Sequence, residues 1–368
     1  MFEVQLNQRT PLSREEIQRK KYPSDLSAFE TSVVNFCHDW LNGVSTFELK
    51  TSGSTGTPKI VTATREQMIE SVNRSQEAIG FQEGETALVT LHPDYVAGKM
   101  MLTRCLVANL SIVALEPSSN PLTLLPLNRT IDFAAFVPYQ IQTILDSKDA
   151  LRLNRIRNVL IGGGSVPEAT QTILQRLEGS VYLSYGMTET LTHIALKKLT
   201  GKSPDHFFKT LPGISIHQDE RGCLVIEGDY FPEKVVVTND LVELQSGGRF
   251  QWLGRWDHVI NSGGIKLIPE VLEPRLNSVF EKLDHACRYF LSGWPHDKLG
   301  QELILIIEGQ PWSQQEQELL ILEMEKILGR FEVPRRICFV EKFIETENQK
   351  INRRLTLERL TPQPSSVS

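Results

Sequence analysis

Ten residues, Lys50-Thr51-Ser52-Gly53-Ser54-Thr55-Gly56-Thr57-Pro58-Lys59, carry five hydroxyls, two glycines and a lysine at each end. Such a segment has almost nothing to bury. Its chemistry suits an oxygen-rich anion. Glycine lets backbone N–H groups converge on a phosphate, Ser and Thr add short donors, and lysine adds charge. The Walker pattern does not fit, because Gly56 is followed by Thr-Pro-Lys. A linker of the same composition is the competing interpretation.

The elements around this segment decide where it can act. Strand-like runs at 87–91, 111–115, 133–137, 159–161 and 181–184 alternate with helix-like runs at 100–108, 139–145 and 167–177. That alternation predicts a largely parallel sheet covered by helices. After residue 210 the texture changes. Residues 222–227 and 235–244 are β-rich between turns and predict an antiparallel meander. Beyond Asp257 the pattern mixes helices near 270–280 and 315–328 with strands near 289–291, 303–307 and 337–340. The expected fold is α/β. It has a large N-terminal domain over 1–256, with mostly parallel helix-covered sheets plus the meander, and a small α+β C-terminal domain over 257–360. Residues 361–368 read as a disordered tail.

Composition narrows the function. The 368 residues are 40% hydrophobic and 23% charged, with a formal net charge of −6. No general basic surface exists for nucleic acid or an anionic membrane. An anionic ligand therefore needs a local site of opposite sign. Cys37, Cys105, Cys223, Cys287 and Cys338 form no C-x-x-C pair, and their number is odd. That argues against a disulfide framework or zinc ribbon and fits a reducing, cytoplasmic setting. The first residues lack an apolar signal core, and no run approaches the ~20 apolar residues of a membrane span.

The loop resembles the phosphate loop of the adenylate-forming superfamily, which contains acyl-CoA synthetases, luciferases and peptide synthetase adenylation domains. Further segments follow in that family's order. Tyr185-Gly186-Met187-Thr188-Glu189-Thr190 resembles its Y-G-x-T-E. Thr238-Asn239-Asp240 resembles T-G-D, with Asn in place of Gly. Gly254-Arg255-Trp256-Asp257 resembles G-R-x-D. The run Gly263-Gly264-Ile265-Lys266-Leu267-Ile268-Pro269-Glu270-Val271-Leu272-Glu273 resembles the start of the C-terminal domain. Gln349-Lys350-Ile351-Asn352-Arg353 resembles G-K-[IL]-x-R, with Gln where Gly is common. The resemblance spans 51–354.

It implies a role for each match. Thr51, Ser52, Gly53, Ser54, Thr55, Gly56, Thr57 and Lys59 would hold the β- and γ-phosphates of ATP. Glu189 would hold Mg²⁺, and Thr188 would donate to the α-phosphate. Tyr185 and Gly186, with Gly163 and Gly164 of the Gly162–Gly164 turn, would frame the adenine. Asp240 would accept from the ribose hydroxyls, and Arg255 would contact ribose or phosphate. Lys350 would bridge the α-phosphate and the substrate carboxylate. Asp257 would be the hinge on which the small domain turns, and Gly263 and Gly264 would face the CoA pantetheine. Each also has a plain alternative, such as a turn, a surface ion pair or a packed ring.

Among subfamilies, Val137-Pro138-Tyr139-Gln140-Ile141 and Tyr95-Val96-Ala97-Gly98 are similar to segments of o-succinylbenzoate–CoA ligases of menaquinone biosynthesis. Tyr95 replaces a histidine there. The implied substrates are ATP, CoA and an aromatic acid with a second carboxylate, for which Tyr95, Lys99, Arg104 and His193 are pocket candidates. In the family the loop follows well over a hundred residues, so the resemblance implies a shortened N-terminal subdomain, which leaves room for a homo-oligomer. An adenylating enzyme that loads a carrier protein, or a non-catalytic nucleotide-binding homologue, is the competing function.

Overall fold

The computed structural model describes residues 2–50, 60–345 and 351–360. It divides into two compact units. Unit 1 comprises 1–217, 225–237 and 244–251, and unit 2 comprises 218–224, 238–243 and 252–368.

Unit 1 begins with β1 (Glu3–Leu6), β2 (Leu12–Ser13), α1 (Arg14–Gln18) and α2 (Ala28–Leu41). A hairpin follows, β3 (Thr46–Lys50) with β4 (Ile60–Thr64), then α3 (Arg65–Ile79). The alternating part comprises β5 (Thr86–Val89), α4 (Val96–Val107), β6 (Ser111–Ala114), β7 (Ile131–Phe136), α5 (Pro138–Leu145), β8 (Ile156–Ile161), α6 (Glu168–Leu174) and β9 (Ser180–Gly186). Two further strands are β10 (His193–Lys198) and β11 (Phe208–Thr210).

The central strands are parallel: β1 with β6, β6 with β5, β5 with β7, β7 with β8 and β8 with β9. Their apolar runs explain this. Buried on both faces, β5, β7 and β8 need no polar alternation, as expected for a sheet covered by helices. Ile131, Val159, Ile161, Val181 and Leu183 pack there with Ile141, Ile144 and Leu174 from α5 and α6. β10 and β11 then continue antiparallel. Strands β12 (Ser215–Gln218), β13 (Cys223–Glu227), β14 (Val235–Gln245) and β15 (Arg249–Arg255) neighbour one another in that order.

Unit 2 contains β16 (Ile260–Ser262), β17 (Ile265–Leu267), α7 (Pro269–Lys282), β18 (Tyr289–His296), β19 (Gly300–Glu308), α8 (Gln314–Ile327), β20 (Arg336–Val340) and α9 (Arg353–Glu358). β18 and β19 pair antiparallel over eight positions, and β20 joins β19 in parallel. One face buries Leu272, Leu276 and Phe280 of α7 with Leu320 and Met324 of α8. The other buries Phe290, Ile304, Ile306 and Phe343. The α/β class expected from the sequence is the observed one. Among the described residues, no helix is long and apolar enough to cross a membrane.

Candidate active site

In unit 1 the motif residues gather at the carboxyl ends of the parallel strands, where open α/β sheets bind ligands. Gly162 follows β8, and its N–H donates to Phe136 O at 3.1 Å. A Cβ there would lie 2.3 Å from Ser184 Oγ, which itself donates to Ile161 O at 3.0 Å. Gly163 has φ +85°, open to glycine at no steric cost. The tight passage from β8 towards α6 thus accounts for Gly162 and Gly163, and Gly164 follows them directly.

Tyr185 and Gly186 end β9. The Tyr185 ring lies edge-on to Phe250 at 5.1 Å and beside Phe208 at 5.9 Å. A Cβ on Gly186 would come 2.2 Å from Thr192 O, so only glycine lets β9 and β10 pinch together. Between them Thr190, fully buried, latches the turn. Its Oγ1 accepts from Met187 N–H at 3.1 Å and lies 2.8 Å from Thr192 O. Leu191, also buried, reverses the chain at φ +65°. This puts Thr188 inside and the Glu189 carboxylate in solvent. No cluster of three or more His, Cys, Asp or Glu able to hold a metal exists among the described residues. A lone carboxylate fits Mg²⁺, which takes one or two protein carboxylates and completes its shell with phosphate and water oxygens.

The four pocket candidates separate. Arg104 and His193 come together. Arg104, 2% exposed, donates from Nη2 to Thr192 Oγ1 at 2.9 Å and to His193 Nδ1 at 3.2 Å. His193 Nε2 lies 3.0 Å from Ser75 Oγ, whose own proton goes to Ser71 O at 3.0 Å. The pattern fixes a neutral imidazole with its proton on Nε2. Burial, reinforced by the Arg104 charge, pushes the His193 pKa well below the ordinary histidine range. Burial also lowers Arg104, to about 10, so it stays charged at neutral pH. Arg104 has no carboxylate partner among the described residues, and its Nε is buried without a hydrogen bond. Lys99 points elsewhere and donates to Glu48 O at 2.6 Å. Tyr95 is exposed and bridges Lys50 at the end of β3. Lys99 and Tyr95 thus hold α4 to the strand that leads into the hydroxyl–glycine loop. A Cβ on Gly98 would come 2.3 Å from His92 O, which explains the glycine of that motif.

In unit 2, Asp240 sits inside β14, nearly buried. Trp252 Nε1 donates to its Oδ1 at 3.2 Å, and Arg255 Nη1 lies 3.7 Å from the same oxygen. Arg255 also grips Asp257 with two hydrogen bonds, at 2.9 and 3.2 Å. Burial opposes ionisation of Asp257, yet these bonds hold its carboxyl below the usual range. Gly263 (φ +59°) and Gly264 (φ +86°) form the two-residue turn between Ser262 and Ile265, where both positions need a left-handed backbone. The turn alone requires both glycines.

Thr51, Ser52, Gly53, Ser54, Thr55, Gly56, Thr57 and Lys59 lie outside the described residues, as do Lys350 and the tail from 361. Their flanks are described. Lys50 pairs with Ile60, and Glu345 bridges Ile351.

A family model described as AMP-binding enzyme matches residues 49–228. The crystal structure of an acyl-CoA synthetase (AMP-forming)/AMP-acid ligase II-like protein from Dyadobacter fermentans is 38% identical, with 95% of this chain and 99% of that one covered and a TM-score of 0.63. The chain belongs to the AMP-binding enzyme family. The 2-succinylbenzoate–CoA ligase of Lactococcus lactis is 25% identical over 327 residues, covering 83% of this chain and 69% of that protein. The O-succinylbenzoate coenzyme A synthetase of Bacillus subtilis, solved with ATP and magnesium ion, shares the fold at a TM-score of 0.70 and 20% identity, covering 84% of this chain and 69% of that one. The chain is thus an enzyme of the adenylate-forming acid–CoA ligase kind.

Within this AMP-binding enzyme, several side chains that touch the motif residues carry no local signature. Ser75 and Thr192 hold the His193–Arg104 pair, and Trp252 holds Asp240. A serine on a helix face or a tryptophan in a strand looks like packing until the register is known. Gly254-Arg255-Trp256-Asp257 was the only local hint that the end of β15 mattered.

Proposed function

We propose that this chain is an ATP- and Mg²⁺-dependent acid–CoA ligase whose acid is o-succinylbenzoate, acting in the cytoplasm in menaquinone (vitamin K2) biosynthesis. In the first half-reaction the succinyl carboxylate oxygen attacks the α-phosphorus of ATP. The bond to the β-phosphate oxygen breaks and pyrophosphate leaves. In the second, the CoA thiol gives up its proton, sulfur attacks the acyl carbon, and AMP leaves with the anhydride oxygen.

The residues take the roles their chemistry suits. The loop from Thr51 to Lys59 receives the β- and γ-phosphates. Glu189 holds Mg²⁺, which supplies charge neutralisation on the phosphates. Tyr185 with Gly163, Gly164 and Gly186 frames the adenine, and Asp240 and Arg255 take the ribose. Lys350 neutralises charge between carboxylate and α-phosphate. Asp257 allows the conformational change between halves, and Gly263 and Gly264 leave space for pantetheine. The domain limits that go with this reading are 1–256 and 257–360.

The choice of acid rests on Arg104. A buried guanidinium with a neutral acceptor on one side and no carboxylate partner among the described residues calls for an anion from outside. The ring carboxylate of o-succinylbenzoate is such an anion. The test compares o-succinylbenzoate with 4-oxo-4-phenylbutanoate, which lacks that carboxylate, by CoA-dependent AMP release. We expect kcat/KM to fall more than about tenfold for the analogue, one charged hydrogen-bonded contact of at least ~1.4 kcal/mol. Arg104→Gln should erase the preference. Equal use of both acids by the unaltered chain would refute the assignment.

A further inference from the structure

Two motif segments carry charged residues that no step above uses. Glu270 and Glu273 open α7, and Arg353 opens α9 three residues beyond Lys350. They meet across 80 residues of sequence. Arg353 Nη2 donates to Glu273 Oε2 at 2.8 Å and lies 4.0 Å from Glu270 Oε1. Its Nη1 donates to Leu291 O at 3.3 Å, while Glu273 Oε1 accepts from Leu291 N–H at 2.8 Å. The guanidinium lies over the Phe290 ring at 5.4 Å. Glu270 in turn binds His258 Nδ1, one residue past Asp257. Gly254 leaves the space for this carboxylate, since a Cβ there would come 2.6 Å from Glu270 Oε2.

Residues 343–345 are held as firmly as residues 351–353. Arg288 Nη1 pairs with Glu345 Oε1 at 2.6 Å. Phe343 N–H donates to Glu308 Oε1 at 2.7 Å, and Ile344 N–H to Thr356 Oγ1 at 3.1 Å. Asn352 N–H donates to Ile344 O at 2.7 Å, beside the Glu345–Ile351 bridge. Ile351, Leu357 and Leu360 pack on Phe290 and Phe343. The two ends of 346–350 are therefore brought side by side and fixed to the sheet.

A half-buried arginine between two glutamates is a poor stabilising device, because desolvation offsets most of the attraction. What a forked guanidinium gives is orientation. We propose that the Arg353–Glu273 pair, braced by Glu270 and His258, is a positioning clamp that fixes residues 351–353, the chain next to Lys350 in sequence, for the adenylation half-reaction. The inference rests on the role given to Lys350 above. Arg353 and Glu273 touch no substrate in it, so they are positioning residues.

The clamp is tested with Arg353→Lys, Arg353→Gln and Glu273→Gln in the full chain. Adenylation is followed by acid-dependent pyrophosphate release, and the second half-reaction by thioester formation from supplied acyl adenylate. Misplacing a reacting group by about 1 Å costs about 100-fold. We expect pyrophosphate release to fall by about that factor in Arg353→Gln and Glu273→Gln, and less in Arg353→Lys. Thioester formation should stay within about twofold of the parent. A merely structural role would lower both half-reactions alike, and that result overturns the proposal. So does an unchanged pyrophosphate rate. Hydrogen exchange supplies a readout independent of activity. Amides of 351–358 should lose protection in Arg353→Gln while those of β18 and β19 keep theirs, and uniform loss or no loss overturns the clamp. If the parent chain releases no pyrophosphate with any acid, the functional reading falls, while the clamp is still decided by exchange.

Discussion

His193 is held neutral by its neighbours, and that has a consequence for stability. In the unfolded chain a histidine titrates near 6.5. In the folded chain burial and Arg104 depress its pKa, so it takes up its proton only at lower pH. Below about 6.5 the unfolded state binds more protons than the folded state, and stability falls as pH falls. Between the two pKa values this single group costs up to ~1.4 kcal/mol per pH unit. His193→Gln keeps an acceptor for Arg104 and removes the titration. Urea midpoints at pH 7.5, 6.5 and 5.5 should show the parent losing stability faster than the variant. Parallel curves would mean that the imidazole titrates alike in the folded and the unfolded chain, and that burial does not hold it neutral. The sequence offered Tyr95, Lys99, Arg104 and His193 as equals. Helix geometry separates two of them, because five residues turn about 140° around the axis and Lys99 and Arg104 must face different ways. The pairing of Arg104 with His193 needed the strand register, which no local pattern encodes.

At the scale of elements, the parallel strands were legible because they are continuous apolar runs of strand length. The expected strand at 133–137 is observed as Ile131–Phe136, and the helix at 139–145 as Pro138–Leu145. The β3–β4 hairpin was not legible. Its strands, Thr-Phe-Glu-Leu-Lys and Ile-Val-Thr-Ala-Thr, are short and partly exposed, and nine residues with no apolar signal separate them. Yet this hairpin decides what Lys99 does. The ammonium, its pKa lowered mainly by burial, is hydrogen-bonded to Glu48 O and ties α4 to β3 just before the loop. Lys99→Met keeps the apolar stem and removes that bond. The expected effect is a rise in KM for ATP of about tenfold, the equivalent of ~1.4 kcal/mol, with KM for the acid little changed. Steady-state kinetics with each substrate varied in turn separates the two. A rise confined to the acid would return Lys99 to the acyl pocket.

For the whole molecule, the chemistry sets a problem that one arrangement of side chains cannot solve. A carboxylate attacking a phosphate and a thiol attacking the resulting anhydride want different groups at the same place. Adenylation wants a cation between two anions, and thioester formation wants the pantetheine sulfur there instead. Asp257, proposed above as the hinge, lies between β15 and β16, in a single turn over Trp256–His258. Its bidentate bond to Arg255 holds one side of that turn, and the neighbouring His258 is held by Glu270 on the other. A hinge residue must absorb a large φ/ψ change, and proline fixes φ near −65°. Asp257→Pro should therefore keep acid-dependent pyrophosphate release and lose CoA-dependent thioester formation, with acyl adenylate accumulating on the enzyme. That is the opposite split from the one expected of Arg353→Gln. On the roles proposed above, the first variant blocks the change of conformation, and the second permits it but disturbs the residues next to Lys350. If rapid-quench analysis found both variants impaired in the same half-reaction, the division of labour between Asp257 and the Arg353–Glu273 pair would be wrong.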